Sequence, residues 1–192
     1  MVVYLILMLG TTLVYCNLRL ISGELSMFKK KSDWFLVLAL VMMAILFYSS
    51  SMTYHEQTSV PLLERVLKNE PLKQWLSQFS FHYAGSEQSV KASGYFKFVE
   101  FFVRKGAHFG TYFLLALFSY LGLRPRIEGT FLAGIFSWLA ATGYAATDEF
   151  HQMLTGDRTP LFQDVMLDSV GALSGIVIMS VILYFTGRKK RR

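Results

Sequence analysis

Five stretches of this chain are too apolar for the faces of ordinary water-exposed helices: Val2 to Leu18, Trp34 to Ser50, Ala107 to Leu123, Gly129 to Thr147 and Val165 to Phe185. A helix crosses the roughly 30 Å hydrocarbon core of a bilayer in about 17–25 residues, and these runs reach or approach that length. In lipid the backbone must satisfy its own N–H and C=O groups, which leaves helices or closed barrels as the only spanning forms. Runs of this length predict an all-α fold: a polytopic membrane helix bundle of four core transmembrane helices plus an extra N-terminal helix. Composition agrees. Of 192 residues, 53% are hydrophobic, 17 are Phe and only 17% are charged, with a mean hydropathy of +0.39. Soluble domains hold roughly 45–50% apolar residues, and disordered or collagen-like chains far fewer.

The formal charge of +6 comes in short blocks flanking the apolar runs, Lys29-Lys30-Lys31 and Arg188-Lys189-Lys190-Arg191-Arg192, with Arg124 and Arg126 between the third and fourth runs. Blocks so placed read as orientation signals on the cytoplasmic side rather than as a nucleic-acid surface. The expected location is the bacterial plasma membrane, multi-pass, with a cytoplasmic C-terminus. Residues 51 to about 100 and the segment Asp148 to Asp164 then lie outside. With Arg19 included, the cytoplasmic side carries eleven basic residues against Glu24, Asp33 and Glu128, while the remaining eight basic and ten acidic residues give the outer half a slight negative balance. Met27 ahead of the Lys block looks like a bacterial membrane-protein start. Residues 1–26 are therefore read as an extra span or an upstream extension, 27–187 as the membrane domain and 188–192 as a basic cytoplasmic tail. Cys16 is the only cysteine, which excludes an intrachain disulfide and a cysteine-based zinc site.

In the long outer segment, Leu62, Leu63, Val66 and Leu67, then Leu72, Trp75, Leu76 and Phe79, recur at helical spacing. Pro61 and Pro71 stand where each helix could start. The pattern predicts two short amphipathic helices on the outer leaflet, partnered by membrane lipid.

Chemistry concentrates where polar residues meet the outer ends of the runs. Arg104, His108 and Tyr112 are spaced i, i+4, i+8 and form one helical stripe, with Lys105 beside it. Tyr144, Asp148 and Gln152 repeat that spacing on the fourth run, flanked by Glu149 and His151. Arg158 follows in the turn, and Asp164 and Asp168 open the last run. Charges at such depth cost on the order of 2.5–3.5 kcal/mol each and normally face a bundle interior or a wet cavity. Small residues at four-residue spacing, Gly106 and Gly110, Gly171 and Gly175, and Ala133, Ser137, Ala141 and Ala145, allow the helices to approach closely.

Two readings fit that cluster. One is a buried ion-pair network fixing helix register, with Arg104 held by Asp148 or Asp164. The other is an outward-facing pocket in which Arg104 and its neighbours recognise an anion or sugar, or His108 performs acid–base work with an Asp partner. His108, His151, Asp148 and Asp168 could supply metal ligands, but no H-E-x-x-H or comparable spacing is present, and no metal or cofactor is expected. Ser49-Ser50-Ser51 ends the second run without a G-x-S-x-G elbow, and there is no Gly-rich phosphate loop.

Arg104-Lys105-Gly106-Ala107-His108-Phe109-Gly110-Thr111-Tyr112, Thr147-Asp148-Glu149-Phe150-His151-Gln152 with Arg158 following, and Asp164-Val165-Met166-Leu167-Asp168 leading to Gly171, Ala172 and Gly175 resemble the signatures of the VanZ-like family. Ile45 to Ser51 is similar to the serine-bearing end of that family's first span, although many relatives carry Gln where Ser51 stands. The resemblance covers about Lys29 to Phe185. It implies a bacterial membrane protein of four or five helices, in a family whose namesake gives low-level resistance to the glycopeptide teicoplanin. The expected function is thus glycopeptide tolerance at the cell envelope by binding or shielding a ligand, such as a lipid-linked wall precursor or the lipid-tailed antibiotic. The alternative is a membrane enzyme acting on a lipid-linked or glycan substrate through His108 and Asp148 or Asp168. The ligand-binding candidates are Arg104, Lys105, His108, Tyr112, Asp148, Glu149, His151, Gln152, Arg158, Asp164 and Asp168.

Overall fold

A computed structural model describes residues 31–154 and 160–189. The apolar segment 1–26, Arg158 and the side chains of the basic tail lie outside the described residues. The fold is mostly helical, in the order α1 (Lys31–Ser50), α2 (Tyr54–Gln57), α3 (Val60–Val66), α4 (Lys73–Leu76), β1 (Ser80–Tyr83), β2 (Ser86–Ser89), α5 (Val90–Ser93), α6 (Tyr95–Leu123), α7 (Thr130–Leu154) and α8 (Phe162–Lys189). Three of these, α1, α6 and the Phe162–Thr186 part of α8, are long and apolar enough to cross a membrane. Three of the four expected spans are thus shown, while Ser137, Thr142, Tyr144 and Thr147 dilute the apolar character of α7 and leave it short of that mark. Even so, α7 packs on α8, α6 and α1.

Apolar residues surround α1 on all sides, yet it buries only one stripe, Ala39, Met42, Leu46 and Ser50 with Ser32 at its start, and leaves Leu40, Phe47 and Tyr48 outward. A helix with a single packed face and an apolar opposite face is what a bilayer accommodates. Its first turn holds Asp33, which pairs with Arg126 beyond α6 and ties the Lys/Arg-rich ends of the helices together.

Helix approach is set by small residues, though not all of those the sequence singles out. Ala133, Ser137, Ala141 and Ala145 form the buried stripe of α7. A Cβ on Gly171 would stand 2.6 Å from the Phe109 carbonyl oxygen, and one on Gly175 2.5 Å from that of Phe113, so α8 lies directly on the α6 backbone. Gly106 and Gly110 correct the expectation, since a Cβ on either would meet nothing within 4 Å. Gly175→Ala is therefore expected to destabilise the bundle by about 1–3 kcal/mol through overpacking. Gly106→Ala should be neutral or stabilising by up to about 1 kcal/mol, the helix-propensity difference alone. Unfolding of both variants in detergent checks the contrast.

The outer segment departs from a purely helical reading. The two expected amphipathic helices appear as α3, with Pro61 in its first turn, and as the single turn α4. Pro71 lies ahead of α4 rather than in it, because Leu72 adopts a left-handed conformation at the N-cap. Between them and α6, β1 and β2 pair antiparallel from Ser80↔Ser89 to Tyr83↔Ser86. Ala84 and Gly85 both have positive φ, 52° and 80°, as a tight two-residue hairpin turn requires. Next, Ser89 caps α5 by accepting from the Ala92 amide at 3.0 Å. α6 then begins at Tyr95, well ahead of the apolar run, so Glu100, Arg104 and His108 share one continuous helix.

Candidate functional site

The close approach at Gly171 sets two polar rungs between α6 and α8. Asp164 and Asp168, one turn apart on α8, face Lys105 and His108 on α6. Lys105 Nζ lies 2.5 Å from Asp164 Oδ1, and His108 Nδ1 lies 3.5 Å from Asp168 Oδ2, long for a hydrogen bond. Asp168 is only 1% exposed. Its Oδ1, the His108 Nδ1 and the Tyr112 hydroxyl are buried atoms without hydrogen-bond partners among the described residues.

The hairpin closes over the first rung. Tyr83 donates to Asp164 Oδ1 at 2.5 Å, and Lys105 Nζ stands 4.7 Å from the centre of the Tyr83 ring. Burial, then the Asp164 carboxylate, push the Tyr83 phenol well above the ordinary tyrosine range. The raised value means that the folded state holds this proton more tightly than the unfolded chain. Hairpin docking is thus at full strength below about pH 10, the unfolded tyrosine value, and weakens above it. In an ultraviolet titration, the difference between wild type and Tyr83→Phe should develop only after the exposed tyrosines have ionised. A Tyr83 signal that titrates with those exposed tyrosines would show that the clasp is absent.

On α7, Asp148, Glu149 and Gln152 are buried despite their polarity. Each has a partner: Gln152 Nε2 donates to Asp148 Oδ2 at 3.2 Å, and Glu149 Oε2 accepts from the Leu161 amide at 3.0 Å. Hydrogen bonds of this kind offset the cost of burying a carboxylate. Tyr144 turns away and donates to the Met43 carbonyl at 2.6 Å, joining α7 to α1. His151 stacks on Phe47 with ring centroids 4.7 Å apart and meets Ser50 rather than the carboxylates, with Ser50 Oγ 2.9 Å from His151 Nδ1.

Arg104 forms an ion pair with Glu100, one turn earlier on its own helix, at 3.6 Å. Asp164 pairs with Lys105, where the sequence offers Arg104 as its partner. Glu100 itself went unread in the sequence, although it extends the Arg104 stripe by one turn. It is 3% exposed and accepts from Thr58 Oγ1 at 2.8 Å and the Ser59 amide at 2.6 Å, fastening the start of α3 to α6. Ser50 and Tyr83 were likewise not among the expected site residues.

Two cavities flank this framework. The inner one, about 70 Å³, lies between α1, α6 and α7 against Ile45, Leu46, Ser50, Val103 and Asp148. The outer one, about 550 Å³, opens under the hairpin against Lys97, Lys105, Glu149 and Asp164. Arg104, His108 and Gln152 line both. Asp168 stands behind His108 and His151 stands against Ser50, and neither they nor Tyr112 line the two cavities. Among the described residues, no three His, Cys, Asp or Glu side chains gather closely enough to hold a metal ion.

The polar stripes, their order along the chain and the helices that carry them all fall inside one family model, VanZ/LLP1, which matches residues 35–184. The chain belongs to the VanZ/LLP1 family. Membership makes it a membrane protein of a family linked to glycopeptide resistance. No curated protein and no solved structure matches the chain. The VanZ/LLP1 match runs from the first turn of α1 into the last turns of α8, so every cavity-lining helix belongs to the shared domain.

Proposed function

We propose that this VanZ/LLP1 protein spans the bacterial plasma membrane several times, with α7 crossing beside the three more apolar helices and the C-terminus in the cytoplasm. Its outward pocket binds or shields a cell-envelope ligand, either a lipid-linked wall precursor or a lipid-tailed glycopeptide such as teicoplanin, and so confers tolerance. The observation that carries this reading is the shared wall of Arg104, His108 and Gln152 between a small, mostly apolar chamber and a larger one lined about equally by polar and apolar surface. An amphiphile fits such a pair of chambers, since its polar head needs fixed donors while its tail needs apolar wall. The Arg104 guanidinium offers a planar fork suited to phosphate or carboxylate, and Gln152 offers an amide for neutral groups. Membrane lipid is the surrounding partner.

Native mass spectrometry of the full chain in nanodiscs, supplied with envelope lipid extract or teicoplanin, tests this. Wild type should retain one envelope ligand, and Gln152→Leu should lose it. Equal retention by both would remove the shared wall from the binding site.

A second reading is favoured by the His108 and Asp168 pair. A buried carboxylate behind a cavity-facing imidazole can orient the ring for general acid or base work on a lipid-linked or glycan substrate. Asp148 would then be the carboxylate facing the same chamber.

A further inference from the structure

Serines near the ends of membrane helices commonly turn back on their own helix, as Ser51 does by donating to the Phe47 carbonyl at 2.8 Å. Ser50 does not. Its hydroxyl crosses to α7 and lies 2.9 Å from His151 Nδ1, with the Asp148 carbonyl at 3.4 Å. Ser50 is 2% exposed, and it lines the inner cavity. His151 is held in place from behind by stacking on Phe47, one turn before Ser51 on the same helix as Ser50. A hydroxyl at hydrogen-bond distance from an imidazole, at the wall of a chamber, is the arrangement by which serine is activated.

We propose that Ser50 is a nucleophile, with His151 as its base, for an acyl ester presented to the inner cavity. The inference takes from the proposed function only that this cavity admits a ligand. The apolar wall of Ile45, Leu46 and Val103 suits an acyl chain, while Arg104 and Gln152 place donors on the same lining. His151 Nδ1 takes the Ser50 proton as Oγ bonds to the acyl carbon, and the carbonyl electron pair moves to oxygen. As that pair returns, the ester C–O bond breaks and the leaving alcohol receives the proton from His151. Water then attacks the acyl-serine, giving its proton to His151, and the acid departs as Ser50 Oγ recovers that proton. The balance is ester plus water to acid plus alcohol, with no oxidant or further reactant.

The test is a small fluorophosphonate applied to the purified full chain in detergent or nanodiscs, followed by peptide mass analysis. Attack by Oγ on phosphorus expels fluoride and leaves a stable adduct. The expected result is one adduct on Ser50, absent from Ser50→Ala, retained in Ser49→Ala, and formed about 100-fold more slowly or worse in His151→Gln. No Ser50 adduct at saturating probe, or an undiminished rate in His151→Gln, overturns the proposal. The probe needs no native ligand, so the two ideas fail separately. Labelling with no ligand retained sinks the pocket reading, whereas ligand retention with no labelling sinks only the nucleophile.

Discussion

Arg104→Gln is expected to weaken capture of an anionic lipid-linked precursor by about 30-fold, close to the lower end of the 2–5 kcal/mol that follows truncation of a buried charge contact. The lower end applies because the Arg104 side chain is 29% exposed and shares its charge with Glu100. Arg104→Lys should fall between wild type and Gln, since an ammonium keeps the charge but lacks the planar fork. Glu100 remains satisfied by Thr58 and Ser59 in either variant, so the loss should appear in affinity with little change in thermal stability. Titration of nanodisc-embedded protein with a fluorescent precursor, alongside an unfolding curve, separates the two quantities. Unchanged affinity in Arg104→Gln would move anion recognition elsewhere, with Lys97 and Lys105 in the outer cavity the next candidates.

The second large effect concerns stability. His108→Ala should destabilise the protein by about 3 kcal/mol, because it removes the imidazole that faces a carboxylate already sealed between α6 and α8. Asp168→Asn should cost less, since the imidazole can remain neutral while a buried carboxylate left alone cannot cheaply stay charged. Combining His108→Ala with Asp168→Asn is therefore expected to recover part of the loss, with a coupling of about 1–2 kcal/mol. Reversible unfolding in mixed micelles gives all four corners of that cycle. Strict additivity would mean that the pair does not interact, and the second, enzymatic reading would lose its main support.

Much of this site was legible from spacing alone. The i, i+4 repeats of Arg104 and His108, of Asp148 and Gln152, and of Asp164 and Asp168 each mark one helical face, and the structure turns these faces toward shared cavities or rungs. Partner choice was not legible. Lys105 rather than Arg104 takes Asp164 because α8 is registered on α6 by Gly171 and Gly175, and that register depends on backbone contact invisible to composition. Glu100 lies ahead of the apolar run that starts at Ala107, in first turns of α6 that the spacing assigns to the outer segment rather than to the helix. The hairpin was hidden for a related reason. Its strands hold four residues each, and only the positive φ of Ala84 and Gly85 discloses the turn that joins them. Ser50 could be found only by seeing which of three adjacent serines meets an imidazole on another helix.

The most direct measurement of the pocket's role is made in cells. A strain lacking the protein would be complemented with wild type, Arg104→Gln or Gln152→Leu at matched membrane levels. Teicoplanin susceptibility and the masses of lipid-linked wall precursors would then be read together. A binding or shielding pocket predicts that wild type alone restores tolerance and that precursor masses are the same in every strain. Equal tolerance from all three proteins would contradict it, and a new precursor species dependent on the wild-type protein would show that the pocket modifies its ligand instead.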